Sequence, residues 1–284
     1  MALEQLAKMA RVVEDAWCTA WASLGALPAT PPTLVEQTPD SLRIYTPGVP
    51  EMLLNIVLRY SAPGPVTAAD VERVIAPFRR YRLPFQWWVN PDAEPQGLSR
   101  QLHALGMRTW GGSATSMVLE LAGWAPAYPP VASGVTLTRV TTPSEAQQAL
   151  EVICDVFYVP TGPMARWTTE NPACWVYLAS WNGRPMAALA TLPRDGVVGV
   201  FHVATLPFAR RRGLAGNLLI LALREAREAG CTLAALTATP EAIRLYEQLG
   251  FRTCGAIEQW APGTGLTNEL TRGAGPYPIG SAWE

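Results

Sequence analysis

The sequence predicts a mixed α/β (α+β) fold of two tandem domains, each with a mostly antiparallel central sheet flanked by helices. A length of 284 residues is typical of about two domains. In the second half, apolar β-branched runs alternate with helix-period runs in the order β-α-β-β-β-α-β-α-β. The segment 102–109 is similar to the segment 246–253, about half the chain further on. This similarity predicts that the two halves share one architecture.

The element pattern gives the domain boundaries. We expect domains at 1–125 and 134–284, joined by a proline-rich linker at 126–133. In the first domain the patterns predict helices at 3–24, 67–82 and 96–105 and strands at 41–45, 53–60, 85–89 and 116–121. In the second they predict helices at 142–157, 214–229 and 240–249 and strands at 135–140, 174–181, 185–192, 197–205, 232–237 and 251–259. A hairpin is expected at Asn182-Gly183, a loop or broken helix at 160–172 and an edge strand at 266–270.

Composition narrows the class of protein. A net charge of −1 argues against the broad basic surface of a nucleic-acid-binding protein. Residues 1–27 alternate charged and apolar side chains, so they lack the apolar run of a signal peptide or a membrane span. We therefore expect a soluble, cytoplasmic protein with no nucleic-acid or membrane partner. The five cysteines are scattered and only two histidines are present, which argues against disulfides and against a metal site.

The most informative stretch, residues 199–216, predicts the end of a strand, a basic loop and the start of a helix. Three arginines follow the apolar strand, and a helix pattern begins immediately after them. A helix start leaves backbone N–H groups unpaired and carries a partial positive charge. Residues without bulk at Gly213, Ala215 and Gly216 let a phosphate approach those groups. The stretch therefore predicts an anion site that fits a diphosphate, although it matches neither a Walker loop nor a G-x-G-x-x-G fingerprint.

Two motifs in this half resemble a known family. The loop Arg210-Arg211-Arg212-Gly213-Leu214-Ala215 resembles motif A of the GCN5-related N-acetyltransferase (GNAT) family, Gln/Arg-x-x-Gly-x-Gly/Ala. About thirty residues on, the segment 239–251 resembles motif B of the family, Asn-x-x-Ala-x-x-Leu-Tyr-x-x-x-Gly-Phe. The resemblance, including the internal similarity, implies a tandem bacterial GNAT protein with a degenerate first half.

The resemblance implies a site for acetyl-CoA or a related acyl-CoA and no metal. In the family, the two central strands separate near a bulge, here around residues 203–205, and main-chain groups pair with the pantetheine arm. The residues so implied are Val203, Ala204 and Thr205 for the pantetheine and Arg210, Arg211, Arg212, Gly213, Leu214, Ala215 and Gly216 for the phosphates. Thr239 stands where the family has Asn, and it keeps a hydroxyl that can hydrogen-bond to the cofactor.

Acetyl transfer implies two catalytic roles. The departing CoA thiolate benefits from a proton donor, and Tyr246 matches the family's tyrosine for that role. His202, on the central strand, is a candidate base, although a core histidine fits the pattern equally well. Alternation places His202 opposite Val203 unless a bulge intervenes. No glutamate lies on this strand, and Asp155 and Glu170 are weaker candidates.

The expected function is N-acyl transfer to a primary amine of a small molecule or an amino-acid-like acceptor, by direct attack. Two alternatives stay open: a non-catalytic acyl-CoA-binding or regulatory protein, and a protein or peptide N-acetyltransferase. The first half has no arginine loop before its helix at 67–82, and Leu102 stands at the tyrosine position. We therefore expect it to serve as a scaffold, a lid or a dimerisation surface, in a monomer or a homodimer.

Overall fold

The computed structural model describes residues 3–91 and 94–271, and these form two compact units. Each unit is a mixed sheet flanked by helices, as predicted. We call them unit C and unit N, after the half of the chain that supplies most of each. Unit C contains residues 3–20 and Ser116–Cys254, and unit N contains Trp21–Thr115 and residues 255–271.

The secondary structure follows the predicted order. The helices are α1 (Leu3–Ser23), α2 (Ala68–Tyr81), α3 (Leu98–Ala104), α4 (Pro143–Phe157), α5 (Thr161–Trp167), α6 (Leu214–Glu228), α7 (Ile243–Gln248) and α8 (Thr264–Thr271). The strands are β1 (Leu34–Gln37), β2 (Leu42–Tyr45), β3 (Ile56–Leu58), β4 (Gln86–Val89), β5 (Met107–Glu120), β6 (Val135–Arg139), β7 (Trp175–Trp181), β8 (Arg184–Arg194), β9 (Val197–Thr205), β10 (Leu233–Ala238) and β11 (Arg252–Pro262).

Unit C contains the sheet order β5-β10-β9-β8-β7-β6, with β5 contributing from Ser116 onward. Strands β6 to β9 pair antiparallel, and β10 pairs parallel with β9. Asn182 and Gly183 both have positive φ at the β7–β8 turn, which confirms the predicted hairpin. Helix α6 packs on the face that carries Val198 and Val200. On the other face, Phe201 packs against α1 and α5.

Unit N contains the order β1-β2-β3-β4-β11, and β4 pairs parallel with β3 after the crossover helix α2. Unit C makes the same crossover from β9 through α6 to β10. Gly106 and Gly250, which follow α3 and α7, have φ of +94° and +96°. The structure therefore confirms that the two halves repeat one arrangement of elements.

Five elements differ from the sequence prediction. Strand β3 covers only Ile56–Leu58 of the strand expected at 53–60, and Met52–Leu54 form a short 3-10 helix. Strand β5 begins nine residues earlier than expected, at Met107 instead of residue 116. Helix α7 begins at Ile243 instead of residue 240, because the three residues after Thr239 form a turn. Residues 264–271 form helix α8 where an edge strand was expected. Strand β1 lies inside the proline- and threonine-rich connector, where no strand was predicted.

The predicted domain boundaries stay a prediction. The compact units differ from them at three places: residues 3–20 and 116–125 belong with the second half, and residues 255–271 belong with the first. Trp17 of α1, for example, lies with its ring centroid 4.5 Å from that of Phe201. Within the described ranges, no helix is long and apolar enough to cross a membrane. The same ranges contain no group of three or more side chains suited to hold a metal ion.

The capping box of α4 gives a pH-dependent prediction. The Glu145 carboxylate accepts hydrogen bonds from the backbone N–H groups of Thr141 and Thr142, and this lowers the pKa of Glu145. A lowered pKa stabilises the fold above the unfolded-state value, and the stabilisation disappears as pH falls through the folded-state value. Glu145→Gln should therefore lower the thermal midpoint at pH 7 and leave it nearly unchanged near pH 3.

Thermal unfolding at both pH values checks this expectation. Glu151→Gln is the control, because Glu151 lies exposed on the same helix and outside the capping box. An equal loss at pH 7 and pH 3 would show that the Glu145 charge contributes nothing to the cap.

Candidate functional site

The two central strands of unit C, β9 and β10, are paired over their first residues and separate beyond them. Registered pairs between β9 and β10 run from Val197↔Leu233 to Gly199↔Ala235, yet β9 continues to Thr205 and β10 to Ala238. Beyond Gly199, therefore, the edge of β9 that faces β10 presents main-chain hydrogen-bonding groups without a registered strand partner. An extended ligand with amide groups fits such an opening.

A β-bulge lies beside this opening. On β8, Ala188 and Ala190 pair with Ala204 and Phe201, so β9 carries one more residue than β8 between these pairs. The extra residue is His202, whose φ of +51° is left-handed. The bulge was expected around residues 203–205 and lies just before them.

The bulge turns two consecutive side chains to one face of the sheet. The rings of Phe201 and His202 lie 4.9 Å and 4.7 Å from the Trp167 ring, measured between centroids. Val203 packs on the opposite face, with the core beneath α6. His202 thus lies opposite Val203, as strand alternation predicted, while Phe201 breaks the alternation.

The basic loop, residues 210–212, is exposed, and two of its arginines contact neighbouring residues. Arg210 donates from Nε to the carbonyl oxygen of Thr205 at 3.2 Å. Arg211 has a left-handed φ of +63°. The Arg212 guanidinium lies over the Trp181 ring, 4.5 Å from the ring centroid. The three guanidinium groups place positive charge directly before the start of α6.

The start of α6 has no side-chain cap. Gly213 is the N-cap with φ of +74°, which a glycine adopts without strain. The N–H groups of Leu214, Ala215 and Gly216 are first-turn donors that an α-helix leaves without an intrahelical acceptor. Together with the helix dipole, these donors make the α6 start a suitable position for an anion.

Sequence reasoning missed Tyr128. Its ring lies against Gly216 so closely that a Cβ on Gly216 would overlap the ring. The lack of a side chain at Gly216 therefore makes room for Tyr128, whereas the sequence interpretation assigned that space to a phosphate. No local signal identifies this contact, because Tyr128 comes from the linker and is far from α6 in sequence.

Helix α2 of unit N is the equivalent of α6, but its start does not suit an anion. The Thr67 hydroxyl accepts from the Asp70 N–H, and the Asp70 carboxylate accepts from the Thr67 N–H at 3.0 Å. Hydrogen bonds from Thr67 lower the pKa of Asp70, so its carboxylate is charged at neutral pH. A negative charge at the start of α2 repels a phosphate, which agrees with the missing arginine loop.

Tyr246 lies on α7 with its ring buried in the core of unit C, 5.7 Å from the Phe251 ring. Burial raises the pKa of Tyr246, so the phenol keeps its proton at neutral pH. Thr239 is exposed and does not cap α7, whose N-cap is Ala242. The Glu241 carboxylate accepts hydrogen bonds from its own backbone N–H and from the Thr239 hydroxyl, and both lower the pKa of Glu241.

His202 lies in an apolar environment between Trp167 and Phe157, whose ring centroid is 5.9 Å away. Its Nε2 atom is buried and has no hydrogen-bond partner among the residues that the structure describes. Burial lowers the pKa of His202 to about 4. The imidazole is therefore neutral at pH 7 and a weak base. Asp155 and Glu170, the other candidate bases, are both exposed.

The fold and this loop define an α/β domain suited to hold an extended, phosphate-bearing ligand between two separated strands. Residues 145–251 match the family model of the Acetyltransferase (GNAT) family. This part of the chain is therefore a GNAT domain, as the two motifs indicated. A search of curated proteins found no significant match to the chain.

Solved structures share the fold over most of the chain. A GCN5-related N-acetyltransferase from Kribbella flavida has a TM-score of 0.68 at 22% identity, covering 91% of this chain and 97% of its own. One from Sphaerobacter thermophilus has a TM-score of 0.59 at 14% identity, covering 80% and 81%. A tandem GNAT protein from the clavulanic acid biosynthesis pathway has a TM-score of 0.57 at 16% identity, covering 88% and 94%. These similarities extend the GNAT fold to both halves of the chain.

The buried imidazole gives a second pH-dependent prediction. An unfolded histidine has a pKa near about 6.5, whereas that of His202 in the fold is about 4. Between these values the unfolded chain binds a proton that the folded chain does not, so stability falls as pH drops through this window. His202→Asn should flatten that slope, because Asn does not titrate and accepts a positive φ.

Two measurements check this prediction. NMR titration of ring-labelled histidine should show a neutral His202 down to about pH 5, and thermal midpoints between pH 4.5 and 7 should report the slope. His103→Asn removes the other histidine, so it serves as the control and also identifies the NMR signal that belongs to His202. A His202 midpoint near that of an unfolded histidine would contradict the buried, unpartnered placement.

Proposed function

We propose that this protein is an acetyl-CoA-dependent N-acyltransferase that transfers the acetyl group to a primary amine of a small molecule or an amino-acid-like acceptor. The observation that carries the proposal is the uncapped, arginine-flanked start of α6 beside the separated strands β9 and β10. Acetyl transfer from an acyl-CoA is the chemistry that the GNAT fold supports in general. The amine acceptor is our more specific proposal.

The chemical character of the residues fits each part of the cofactor. The pantetheine amides pair with the free edge of β9 at Val203, Ala204 and Thr205. The diphosphate takes the first-turn N–H groups of α6, and the arginines at 210–212 neutralise its charge. Side-chain carboxylates are absent from the whole stretch from Val197 to Leu223, so no acidic group of the loop opposes the phosphates.

The reaction needs a proton donor and a proton acceptor. The amine nitrogen attacks the thioester carbonyl and forms the C–N bond, and the nitrogen loses a proton to the base or to water. The C–S bond breaks, CoA leaves as a thiolate that takes a proton from Tyr246, and the phenolate regains a proton from solvent. Burial raises the pKa of Tyr246, so the phenol is protonated at neutral pH and carries the proton that this role requires. His202 stays our candidate base. Since its pKa is about 4, it acts on an amine that is already neutral, or through a water chain.

One observation favours a second candidate function, a non-catalytic acyl-CoA-binding or regulatory protein. Strand β9 carries no carboxylate, and its histidine is a weak base. Turnover of acetyl-CoA across a panel of small amines, amino acids and peptides separates the two functions. Micromolar binding of acetyl-CoA without turnover of any acceptor would favour the binding protein.

Gly213→Glu tests the cofactor site. A carboxylate at the N-cap of α6 puts a negative charge beside the first-turn N–H groups that we assign to the diphosphate. Calorimetric affinity for acetyl-CoA should therefore fall at least about a hundredfold, since each 1.4 kcal/mol is a factor of ten. Gly230→Glu is the matched control. Gly230 also has a positive φ, of +96°, but it follows the opposite end of α6 and a Cβ there meets no atom within 4 Å.

The two variants carry the same new charge and a similar backbone strain. The control should therefore bind acetyl-CoA like the wild type, and circular dichroism should show both variants folded. If Gly213→Glu keeps its affinity, the diphosphate does not bind at the start of α6 and the proposed function loses its main support.

Tyr246→Phe tests the proton donor. Removing the hydroxyl should lower kcat about a hundredfold while the dissociation constant of acetyl-CoA stays within a factor of two or so. Tyr177→Phe is the control, because Tyr177 is another buried tyrosine of the same core whose hydroxyl bonds Glu225. Steady-state kinetics on the best acceptor of the panel measures kcat for both variants, and calorimetric titration measures their dissociation constants for acetyl-CoA. Full activity in Tyr246→Phe would show that Tyr246 is a packing residue and not the proton donor.

A further inference from the structure

A groove of about 630 Å³ lies between helices α4 and α5 of unit C. Its volume is within the range of small-molecule sites. One wall is a stripe along α4 at helical spacing, formed by Pro143, Ala146, Gln147 and Leu150. These residues lie on one face of the helix, so the groove runs along the first half of α4.

The second wall is α5 with the turn that follows it. Gly162 and Ala165 line the groove from α5, and Thr169 and Glu170 line it from the turn. The Glu170 N–H donates to the Ala165 carbonyl oxygen at 2.8 Å. This hydrogen bond holds the backbone of Glu170 against the end of α5, so its carboxylate starts from a fixed point beside the groove.

The groove is apolar at its base and polar at its rim. Leu150 and Ala165 are buried, with 6% and 8% of their surface exposed. Gln147 and Thr161 are exposed lining residues. Gln147 donates from Nε2 to the Glu151 carboxylate at 2.9 Å, which leaves its Oε1 atom as an acceptor. The groove therefore suits a ligand with a hydrocarbon body and a hydrogen-bond donor.

The charge at the groove is negative. Glu170 is the one charged side chain among the described residues that line it, and its carboxylate has no partner within that part of the chain. Thr141 and Thr142, which also line the groove, donate to the Glu145 carboxylate. These bonds lower the pKa of Glu145, so a second negative charge lies at the α4 start. A cation is favoured here and an anion is repelled.

The groove is distinct from the opening between β9 and β10. The lining residues of α4 lie within 143–150, whereas His202 of β9 contacts Phe157, the last residue of this helix. Pro143 and Phe157 are about 21 Å apart along the helix axis. The groove is therefore not part of the site that we assign to the acyl-CoA.

We propose that this groove binds a small organic amine in its ammonium form, with the ammonium paired to Glu170 and the hydrocarbon body on Leu150 and Ala165. An ammonium has three N–H donors, which suit the Glu170 carboxylate and the Gln147 amide oxygen. This inference goes beyond the proposed function, because it concerns a second site that does not depend on acyl-CoA.

The test is an NMR titration that follows the backbone amide signals of the full chain, without acyl-CoA, with phenethylamine as the probe. The signals of Gly162, Ala165 and Glu170 should shift and saturate at millimolar concentration. Phenethyl alcohol and phenylpropionate are the uncharged and anionic probes of similar shape. Both should bind at least about fivefold more weakly, as expected when one exposed ion pair is lost.

Glu170→Gln keeps the size of the side chain and removes its charge. The variant should bind phenethylamine about fivefold more weakly than the wild type and should bind the alcohol as the wild type does. Glu228→Gln is the matched control, because Glu228 is an exposed carboxylate at the end of α6 and does not line the groove. Its affinity for all three probes should equal that of the wild type.

Gly162→Leu fills the groove. A Cβ at Gly162 meets no atom within 4 Å, so the new side chain has room without displacing the fold. It occupies the ligand's space, and phenethylamine affinity should fall at least about tenfold. Gly265→Leu is the matched control, since Gly265 is likewise the second residue of its helix, α8, and its Cβ also meets no atom within 4 Å. This control should bind like the wild type.

The outcomes separate this inference from the proposed function. Absence of saturable shifts at the groove signals would overturn the site, and equal binding of amine and alcohol would overturn the assignment of an amine. Shifts confined to the signals around His202 and Phe157 would place the amine at the acyl-transfer site, and this inference alone would fall. Wild-type affinity in both Glu170→Gln and Gly162→Leu would contradict the groove in the same way.

Discussion

The separation of β9 from β10 beyond Gly199 is the constraint on which the candidate site depends. Two parallel strands normally satisfy each other's backbone groups along their length, and here they stop after three registered pairs. The bulge at His202 lies in the same part of β9 and changes the direction of its side chains. An open strand edge and a left-handed residue thus lie side by side. Both are unusual features that the packing on the two faces of the sheet must hold in place.

That packing differs between the two faces. On one face, α6 covers an aliphatic core and brings its uncapped start to the end of β9. On the other face, a row of rings from Trp17 through Phe201 and Trp167 to His202 supports the bulge. The first face carries the positive charge and the hydrogen-bond donors that our proposal assigns to the cofactor. The second is apolar, and it is the reason that the histidine stays neutral.

The parts of the fold that depend on local sequence were predictable. Asn182-Gly183 fixes a hairpin through its positive φ angles, and a glycine before an apolar helix run predicts the start of α6. Features set by distant contacts were not. The early start of β5 and the contact of Tyr128 with Gly216 depend on partners far away in sequence. The bulge was expected from the family resemblance alone, and alternation cannot identify the residue at which it falls. Helix α7 lacks its predicted first turn, since the Ala242 N–H donates to the Thr239 carbonyl oxygen and residues 240–242 form a turn.

The capping box of α2 constrains how the two halves of the chain can evolve. In unit N the Asp70 carboxylate occupies the position at the helix start that a phosphate takes in our proposal for unit C. Adding arginines before α2 would therefore not create an anion site, because the carboxylate would pair with them first. Removing Asp70 alone would weaken the helix without any gain in binding. A ligand site in unit N thus needs two changes together, neither of which creates a site alone, so the asymmetry of the halves resists reversal by single mutations.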